Sequence, residues 1–434
     1  MRPAEFKNPE QELVRFQRRL AVAGGFVLLA FFLLFARFFW LQVVRYEHFQ
    51  TRAEDNRISL VPVVPNRGVI LDRNGVVLAS NYSAYTLEIT PGKVADLEAV
   101  INELAGIVDI QPKDRKRFRK LLEESKNFES LPIRTRLSDE EVARFIARRF
   151  RFPGVEIKAR LFRQYPQGEL ASHALGYIGR VNDRDLGTIE RNNAEDNYRG
   201  TEHFGKTGLE QKYEFELHGQ TGFEQVEVEA GGRAVRVLER TPPLPGNNLL
   251  LTLDARLQQV VEKAFGKRRG ALVAIEPSTG GILALVSMPG YDPNLFVDGI
   301  GSQDWEALNT SEDKPMVNRA LNGAYPPGST FKPFMALAAL ETGKRTPQQA
   351  ISDPGFFTFG GHTFRDDKKG GHGIVDMYKS IVHSCDTYYY VLANDMGIDA
   401  ISNFMRQLGF GQRTGIDIEG ESEGVLPSQE WKKK

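Results

Sequence analysis

The chain has 434 residues, with 56 Lys plus Arg against 56 Asp plus Glu and a single cysteine. Balanced charge argues against a nucleic-acid partner held by a basic face, and one cysteine excludes an intramolecular disulfide. The length allows two or three domains, each able to fold by its apolar core alone.

Residues 1–19 read as a short cytoplasmic tail and 20–44 as a transmembrane anchor. Leu20 to Val44 is apolar apart from Arg37, and about 20 apolar residues span a bilayer core. Arg37 lies toward the C-terminal end, where a long side chain can snorkel, and Trp40 and Tyr46 suit the interface. A cleaved signal peptide would have a shorter apolar core followed by a small-x-small site. Here Arg37-Phe38-Phe39-Trp40 follows instead, which favours an uncleaved anchor. Arg2, Lys7, Arg15, Arg18 and Arg19 argue that the tail stays inside, with Arg45, Arg52 and Arg57 pulling the other way.

Residues 45–242 read as a second region. Leu60 to Asn66 and Arg67 to Ala79 (RGVILDRNGVVLA) predict strands around an Asn74-Gly75 turn, with Asp72, Arg73 and Gly75 explained by turn chemistry and a local ion pair. Ala95 to Arg149 is charged and helix-prone, with Leu97, Val100, Ile101, Leu104 and Ile107 at helical offsets. The basic cluster Lys113 to Lys120 reads as a solvated helix face. His173 has no nucleophile nearby in sequence and reads as structural. Lys206-Thr207-Gly208 closes a segment, Gly200 to Thr207, that matches a phosphate loop. Such a loop needs a buried strand before it, and the polar run Glu190 to Arg199 cannot be one, so no nucleotide site is expected.

The Pro-rich joint Thr241 to Gly246 marks a boundary, and 246–434 reads as a third region. Leu249 to Leu253 predicts a buried strand, with Asp254 capping a helix from Ala255 to Phe265. Ala271 to Glu276 and Ile282 to Ser287 predict a hairpin. Strands and helices intermixed in this way predict an α+β fold, an antiparallel sheet with packed helices. Next comes Tyr325-Pro326-Pro327-Gly328-Ser329-Thr330-Phe331-Lys332-Pro333. After it Phe334, Met335, Leu337, Ala338 and Leu340 predict a buried helix that ends near Gly343 and starts irregularly at Pro333. A spacing of three puts Ser329 and Lys332 on one helix face, so Lys332 can reach back to the Ser329 hydroxyl. A hydroxyl beside a neutral amine is an activated acyl-transfer nucleophile. The bland alternative for the same pair is a capped helix with a solvated lysine.

The whole run resembles the nucleophile motif of the penicillin-binding proteins, and Ser384-Cys385-Asp386 resembles their second motif, Ser-x-Asn or Ser-x-Asp. RGVILDRNG resembles the signature opening the pedestal of the class B, monofunctional members. Arg160, Arg163, Tyr165, Pro166 and Gly168 with His173 and Gly176 to Val181 resemble a second pedestal signature, and Gly205 to Gly222 with Leu209-Glu210 and Tyr213-Glu214 a third. The resemblance implies a transmembrane helix, an elongated pedestal and a transpeptidase domain. The expected activity is peptidoglycan cross-linking through a serine acyl-enzyme on D-Ala-D-Ala stem peptides during cell elongation, with β-lactams as inhibitors and no cofactor required.

On that resemblance the catalytic residues are Ser329 as nucleophile, Lys332 as base, Ser384 as proton relay and Asp386 orienting the pair or contacting the peptide. The Ser329 N–H would form half of an oxyanion hole. Implied partners are the lipid bilayer, a membrane glycosyltransferase of the SEDS type and the scaffold of the rod complex, with the bulk of the chain in the periplasm. The family's third motif, Lys-Ser/Thr-Gly, follows the second, and none follows Ser384 before Lys434. The chain is therefore expected to be C-terminally incomplete and unable to finish the catalytic cycle. A D,D-carboxypeptidase and a non-catalytic scaffold are the alternatives; a β-lactam sensor would need a longer cytoplasmic segment than Met1 to Arg19.

Three of the seven histidines, His362, His372 and His383, lie near Cys385 together with Asp353, Asp366 and Asp367. Cys, His and Asp form a ligand set that zinc prefers. Asp353, Asp366, His372 and Cys385 are the chosen ligands of a structural zinc that would brace the second motif. A buried thiol among surface histidines in a glycine-rich loop is the other reading.

Overall fold

The computed structural model describes residues 9–44, 58–124, 130–228 and 234–433. Arg2, Lys7, Arg45, Tyr46, Arg52 and Arg57 lie outside them. The chain is a mixed helix and sheet protein whose residues divide into two compact units. The first comprises 1–64, 83–160 and 221–243, and the second 65–82, 161–220 and 244–434.

In the first unit a helix runs Pro9–Phe39 and continues as a π-helical turn, Trp40–Val44. Within it Leu13–Val44 is long and apolar enough to cross a membrane. Ile58–Val63, Gly222–Val228 and Ala234–Thr241 form a three-stranded antiparallel sheet. The charged stretch folds as three helices, Leu97–Leu104, Pro112–Glu124 and Asp139–Ile146. Ile101, Leu104 and Ile107 are buried as the periodicity predicts, beside Phe118, Phe145 and Phe152. Sequence reading missed the strand Leu131–Arg134, which pairs with Leu87–Ile89. Its four residues are too few for alternation to show, and three are buried on both faces.

The second unit opens with Ile70–Leu71, which pairs antiparallel with Val77–Ala79 across the expected turn. Buried Asp72 holds that turn by accepting from Asn74 N and Val76 N, and also from Ala255 N at 3.0 Å. Its carboxyl lies below its usual range, because these backbone donors outweigh the burial that would raise it. Asp254 caps the helix Ala255–Phe265 as predicted, accepting from Arg256 N and Leu257 N. Gln258 on that helix exchanges two hydrogen bonds with the backbone of Leu285, fixing the helix to the hairpin Gly270–Ile275 and Ile282–Met288.

The three pedestal-like signatures meet in one buried ion network within this unit. Arg163 Nε donates to Glu210 Oε1 at 2.7 Å and its Nη1 to Gly68 O at 2.7 Å. Arg67 bridges Glu210 and Glu214, each at 2.7 Å, and the hydroxyls of Tyr165 and Tyr198 donate to Glu210 and Glu214. Burial alone would raise both carboxyls. At Glu210 the two arginines prevail and the value is lowered; at Glu214 burial prevails and it is raised. Removing one partner from such a site strands a buried charge, which costs roughly 3–5 kcal/mol. Arg163→Met is therefore expected to lower stability by about that amount in chemical denaturation. The double variant Arg163→Met with Glu210→Leu should lose less than the sum of the singles; strict additivity would contradict the network.

His173 is buried, with Nε2 2.8 Å from Pro315 O and its ring edge-on to Tyr291. His218 stacks on Tyr198 with centroids 4.0 Å apart. Burial is the largest influence on each and lowers both to about 4. The unfolded chain protonates these histidines near pH 6.5 while the fold keeps them neutral, so the unfolded state binds more protons between these values. Stability should fall as pH drops from 6.5 toward 4, by on the order of 3 kcal/mol per histidine. His218→Gln should flatten that part of a Tm-versus-pH curve; an unchanged slope would reject the assignment.

Candidate active site

Ser329 lies on a 3-10 turn, Gly328–Phe331, that leads into the helix Lys332–Glu341. The irregular start expected from Pro333 is thus a tightened first turn, in which residues three apart eclipse. The helix ends beside Gly343 as expected, but its buried face differs from the sequence reading. Lys332, Met335, Ala336, Ala338 and Ala339 are buried, whereas Phe334, Leu337 and Leu340 stay about 40 % exposed. Small alanines let the neighbouring helices Asp386–Met396 and Ile398–Gln407 approach closely, which periodicity in an all-apolar helix does not reveal.

The second motif sits between two helices. Met377–Val382 ends at His383, and Asp386–Met396 begins two residues after Ser384. Ser384 takes φ 54°, a left-handed conformation uncommon for a residue with Cβ. Buried Ser380 clamps the junction, its hydroxyl donating to Met377 O and lying 3.1 Å from the Tyr389 hydroxyl.

The four residues picked from sequence come together. Ser384 Oγ lies 2.8 Å from Ser329 Oγ and 2.9 Å from Lys332 Nζ. Lys332 also donates to Ser384 O and pairs with Asp386 Oδ1 at 2.6 Å. The spacing suggested that Lys332 would reach Ser329 directly. Its hydrogen bonds instead go to Ser384 and Asp386, and Ser384 bridges it to the exposed Ser329. Sequence reading missed Tyr389, whose ring lies 5.8 Å from Lys332 Nζ and walls the buried amine.

Behind the motif the four proposed metal ligands also converge. Cys385 Sγ is 3.4 Å from Asp353 Oδ2 and 3.3 Å from Asp366 Oδ2. His372 Nδ1 is 3.0 Å from Asp353 and 3.5 Å from Asp366, and one ligand atom from each residue lies within 4.8 Å of every other. Bonds of about 2.0 Å to N and O and 2.3 Å to S imply tetrahedral edges of about 3.3–3.5 Å, close to these separations. Further hydrogen bonds orient the carboxylates, from Gly355 N and His372 N to Asp353 and from Thr387 N to Asp366. Of the other residues considered, His362 is exposed, His383 stacks on His372, and Asp367 lies 4.0 Å from His372.

Lys206-Thr207-Gly208 plays no part here. Lys206 pairs with Asp185, and the strand before it, His203–Gly205, has three residues and, among the described residues, pairs only with Ile178–Arg180. Its glycine serves a backbone crossing: a Cβ on Gly208 would meet Ala174 O at 2.6 Å, and one on Gly176 would meet Thr207 O at 1.8 Å.

A serine, a lysine and a second serine linked in this way have the arrangement that serine acyl transfer requires. The Penicillin-binding Protein dimerisation domain matches residues 62–251 and the penicillin-binding protein transpeptidase domain matches 270–434. The chain belongs to the penicillin-binding proteins that carry both domains, the class B type. It is 45 % identical over 428 residues to the peptidoglycan D,D-transpeptidase MrdA of Acinetobacter baumannii, covering 98 % of this chain and 63 % of that protein. Against MrdA of Escherichia coli K12 it is 44 % identical over 431 residues, covering 99 % and 68 %. Among solved structures it resembles PBP2 of Helicobacter pylori in complex with MreC, at TM-score 0.73 and 32 % identity over 86 % of this chain and 69 % of that one. Pseudomonas aeruginosa PBP2 in complex with WCK 5153 gives TM-score 0.62 and 36 % identity, covering 86 % and 62 %.

Proposed function

We propose that this protein is a peptidoglycan D,D-transpeptidase of the elongation type, forming an acyl-enzyme at Ser329. The observation that carries the reading is the hydrogen-bonded series Ser329–Ser384–Lys332. In the reactive state Ser329 Oγ attacks the carbonyl between the terminal D-alanines. Its proton passes through Ser384 Oγ to the neutral amine of Lys332, and the Asp386 carboxylate stabilises the resulting ammonium. The tetrahedral oxyanion is received in part by the Ser329 N–H. On collapse the C–N bond breaks, and the proton returns through Ser384 to the departing D-alanine amine. The amine of a second stem peptide then attacks the ester, and Ser329 recovers its proton. The chemistry needs no cofactor. Fluorescent penicillin tests the reading: the full-length protein should be labelled covalently, and absence of labelling would reject it.

The apolar helix is read as an inner-membrane anchor with the remainder in the periplasm. Protease added to spheroplasts should digest the chain beyond Val44; full protection would reverse that orientation. A SEDS-type glycosyltransferase is added on the family resemblance, and rod-complex partners are supported by the solved relatives. These include a complex with MreC and a peptidoglycan synthase complex that coordinates polymerization and crosslinking. Co-purification with such a glycosyltransferase is the expected result, and its failure in native membranes would remove that partner.

The cluster Asp353, Asp366, His372 and Cys385 is read as a structural zinc site. The donor set fits that ion, and two buried carboxylates face only one imidazole in the cluster. Zinc would hold Cys385 between Ser384 and Asp386, fixing both without touching substrate.

A further inference from the structure

The nucleophile is carried on a length of chain with little of its own to seat it. Every residue of 322–330 is exposed, and the 3-10 turn Gly328–Phe331 buries none of its four residues. Besides the bond to Ser384, the placement of Ser329 rests on what holds the two ends of this segment, Leu321 and Phe331. Both ends meet one stretch, the strap 410–428, which has no helix or strand and follows the helix Ile398–Gln407. Upstream, Ser422 N donates to Leu321 O at 3.0 Å. Downstream, the Phe410 ring stands edge-on to Phe331 at 5.6 Å and to Phe334 at 5.3 Å between centroids. The strap is itself tied down. Gly411 turns at φ 71° against Leu426, where a Cβ would meet Leu426 Cβ at 2.8 Å. Thr414 closes a loop onto Glu421, its N 2.9 Å and its Oγ1 2.7 Å from Oε1. Asp417 Oδ2 accepts from the Tyr213 hydroxyl at 2.6 Å, and Ile418 is buried in the core that holds Leu209 and Leu217.

Resting on the transpeptidase reading, we propose that the strap positions the acylating serine, with Phe410 and Asp417 as positioning residues. Phe410 seats the Ser329 turn through Phe331 and Phe334, and Asp417, held by Tyr213, keeps the strap in place behind it. Edge-on ring pairs have a preferred geometry, so Phe410 fixes where Phe331 lies as well as covering it. Phe331 is two residues from Ser329 in the same turn, and a shift of one moves the other. A reacting group misplaced by about 1 Å can lose ~10²-fold in rate. Loosening this seat should therefore slow formation of the ester bond and leave the initial binding of a β-lactam unchanged.

The test is stopped-flow acylation of the full-length protein by fluorescent penicillin over a range of concentrations, which separates the noncovalent Kd from the acylation rate constant. Phe410→Leu should lower the rate constant about tenfold and leave Kd unchanged, and Phe410→Tyr, which keeps the ring, should retain the parent rate. Phe404→Leu lies in the same core but off the strap; it controls for general loosening and should acylate at the parent rate. Asp417 is exposed, so Asp417→Ala removes the tie to Tyr213 without opening the core. It should slow acylation, whereas Asp417→Asn still accepts from Tyr213 and should not. Hydrogen exchange reads the seat without chemistry: Lys332 N donates to Ser329 O, and this amide should exchange faster in Phe410→Leu but not in Phe404→Leu. Parent-like acylation and exchange in Phe410→Leu would overturn the proposal, as would equal losses in Phe410→Leu and Phe404→Leu. Should Phe410→Leu not fold, a parent rate in Asp417→Ala would overturn it instead. A parent protein that takes no penicillin label, with Lys332 exchange still quickened by Phe410→Leu, would reject the transpeptidase reading and leave the strap's role standing.

Discussion

Ser329→Ala is expected to lose all covalent labelling by fluorescent penicillin, because it removes the exposed hydroxyl at the end of the series and leaves Ser384 held against Lys332. Ser384→Ala should keep the nucleophile but break the only hydrogen-bonded path from Ser329 to Lys332 among the described residues. Positioned proton transfer contributes roughly 10²–10⁴ in rate, so the acylation rate constant should fall by about that factor. Lys332→Arg should fall as far, since a guanidinium cannot serve as base at neutral pH. Asp386→Asn keeps a hydrogen-bond acceptor near Lys332 and should lose less than tenfold. Stopped-flow labelling measures all four. If Ser384→Ala acylated at the parent rate, the relay would be wrong and a direct Lys332–Ser329 transfer would replace it.

The site was legible because its residues lie in short motifs whose spacing already implies contact. Ser329 and Lys332 are one turn apart, and Cys385 sits between two residues of the second motif. What sequence did not show is which hydroxyl Lys332 touches, since that depends on how the left-handed Ser384 is seated. In sequence the hairpin bearing Phe357 and Phe364, Phe356–Phe359 paired with His362–Arg365, is hidden in a glycine-rich stretch. Its strands are four residues each, and their exposed aromatics do not alternate in the way a half-buried strand does. Arg67, Arg163 and the pair Glu210 and Glu214 belong to three separate signatures in the sequence. Their meeting depends on contacts 47 to 147 residues apart in the chain, which no local pattern encodes. The capped helix at Asp254 and the hairpin after it were read correctly because caps and turns are local chemistry.

Purified without chelator, the protein is expected to carry close to one zinc, and Cys385→Ser to lose most of it. Without metal, burial first, and then Asp366 and Asp353, push the Cys385 thiol up to about 12. Zinc must therefore displace a proton from sulfur, and occupancy should decline as pH falls. Zinc at a thousandfold over Kd would stabilise the fold by about 4 kcal/mol. For a unit of this size that corresponds to a Tm shift of roughly 8–16 °C, so chelation should lower Tm by about that much and added zinc restore it. The effect should reach the chemistry, because Ser384 and Asp386 flank the ligand sulfur. Cys385→Ser should be acylated more slowly by penicillin although Ser329, Ser384 and Lys332 all remain. His372→Ala, which leaves Cys385 in place, should reproduce both the metal loss and the slower acylation. Metal-free parent protein of unchanged Tm in chelator would end the zinc reading. The acidic cluster would then be a hydrogen-bonded brace in which protonated Cys385 donates to Asp353 and Asp366.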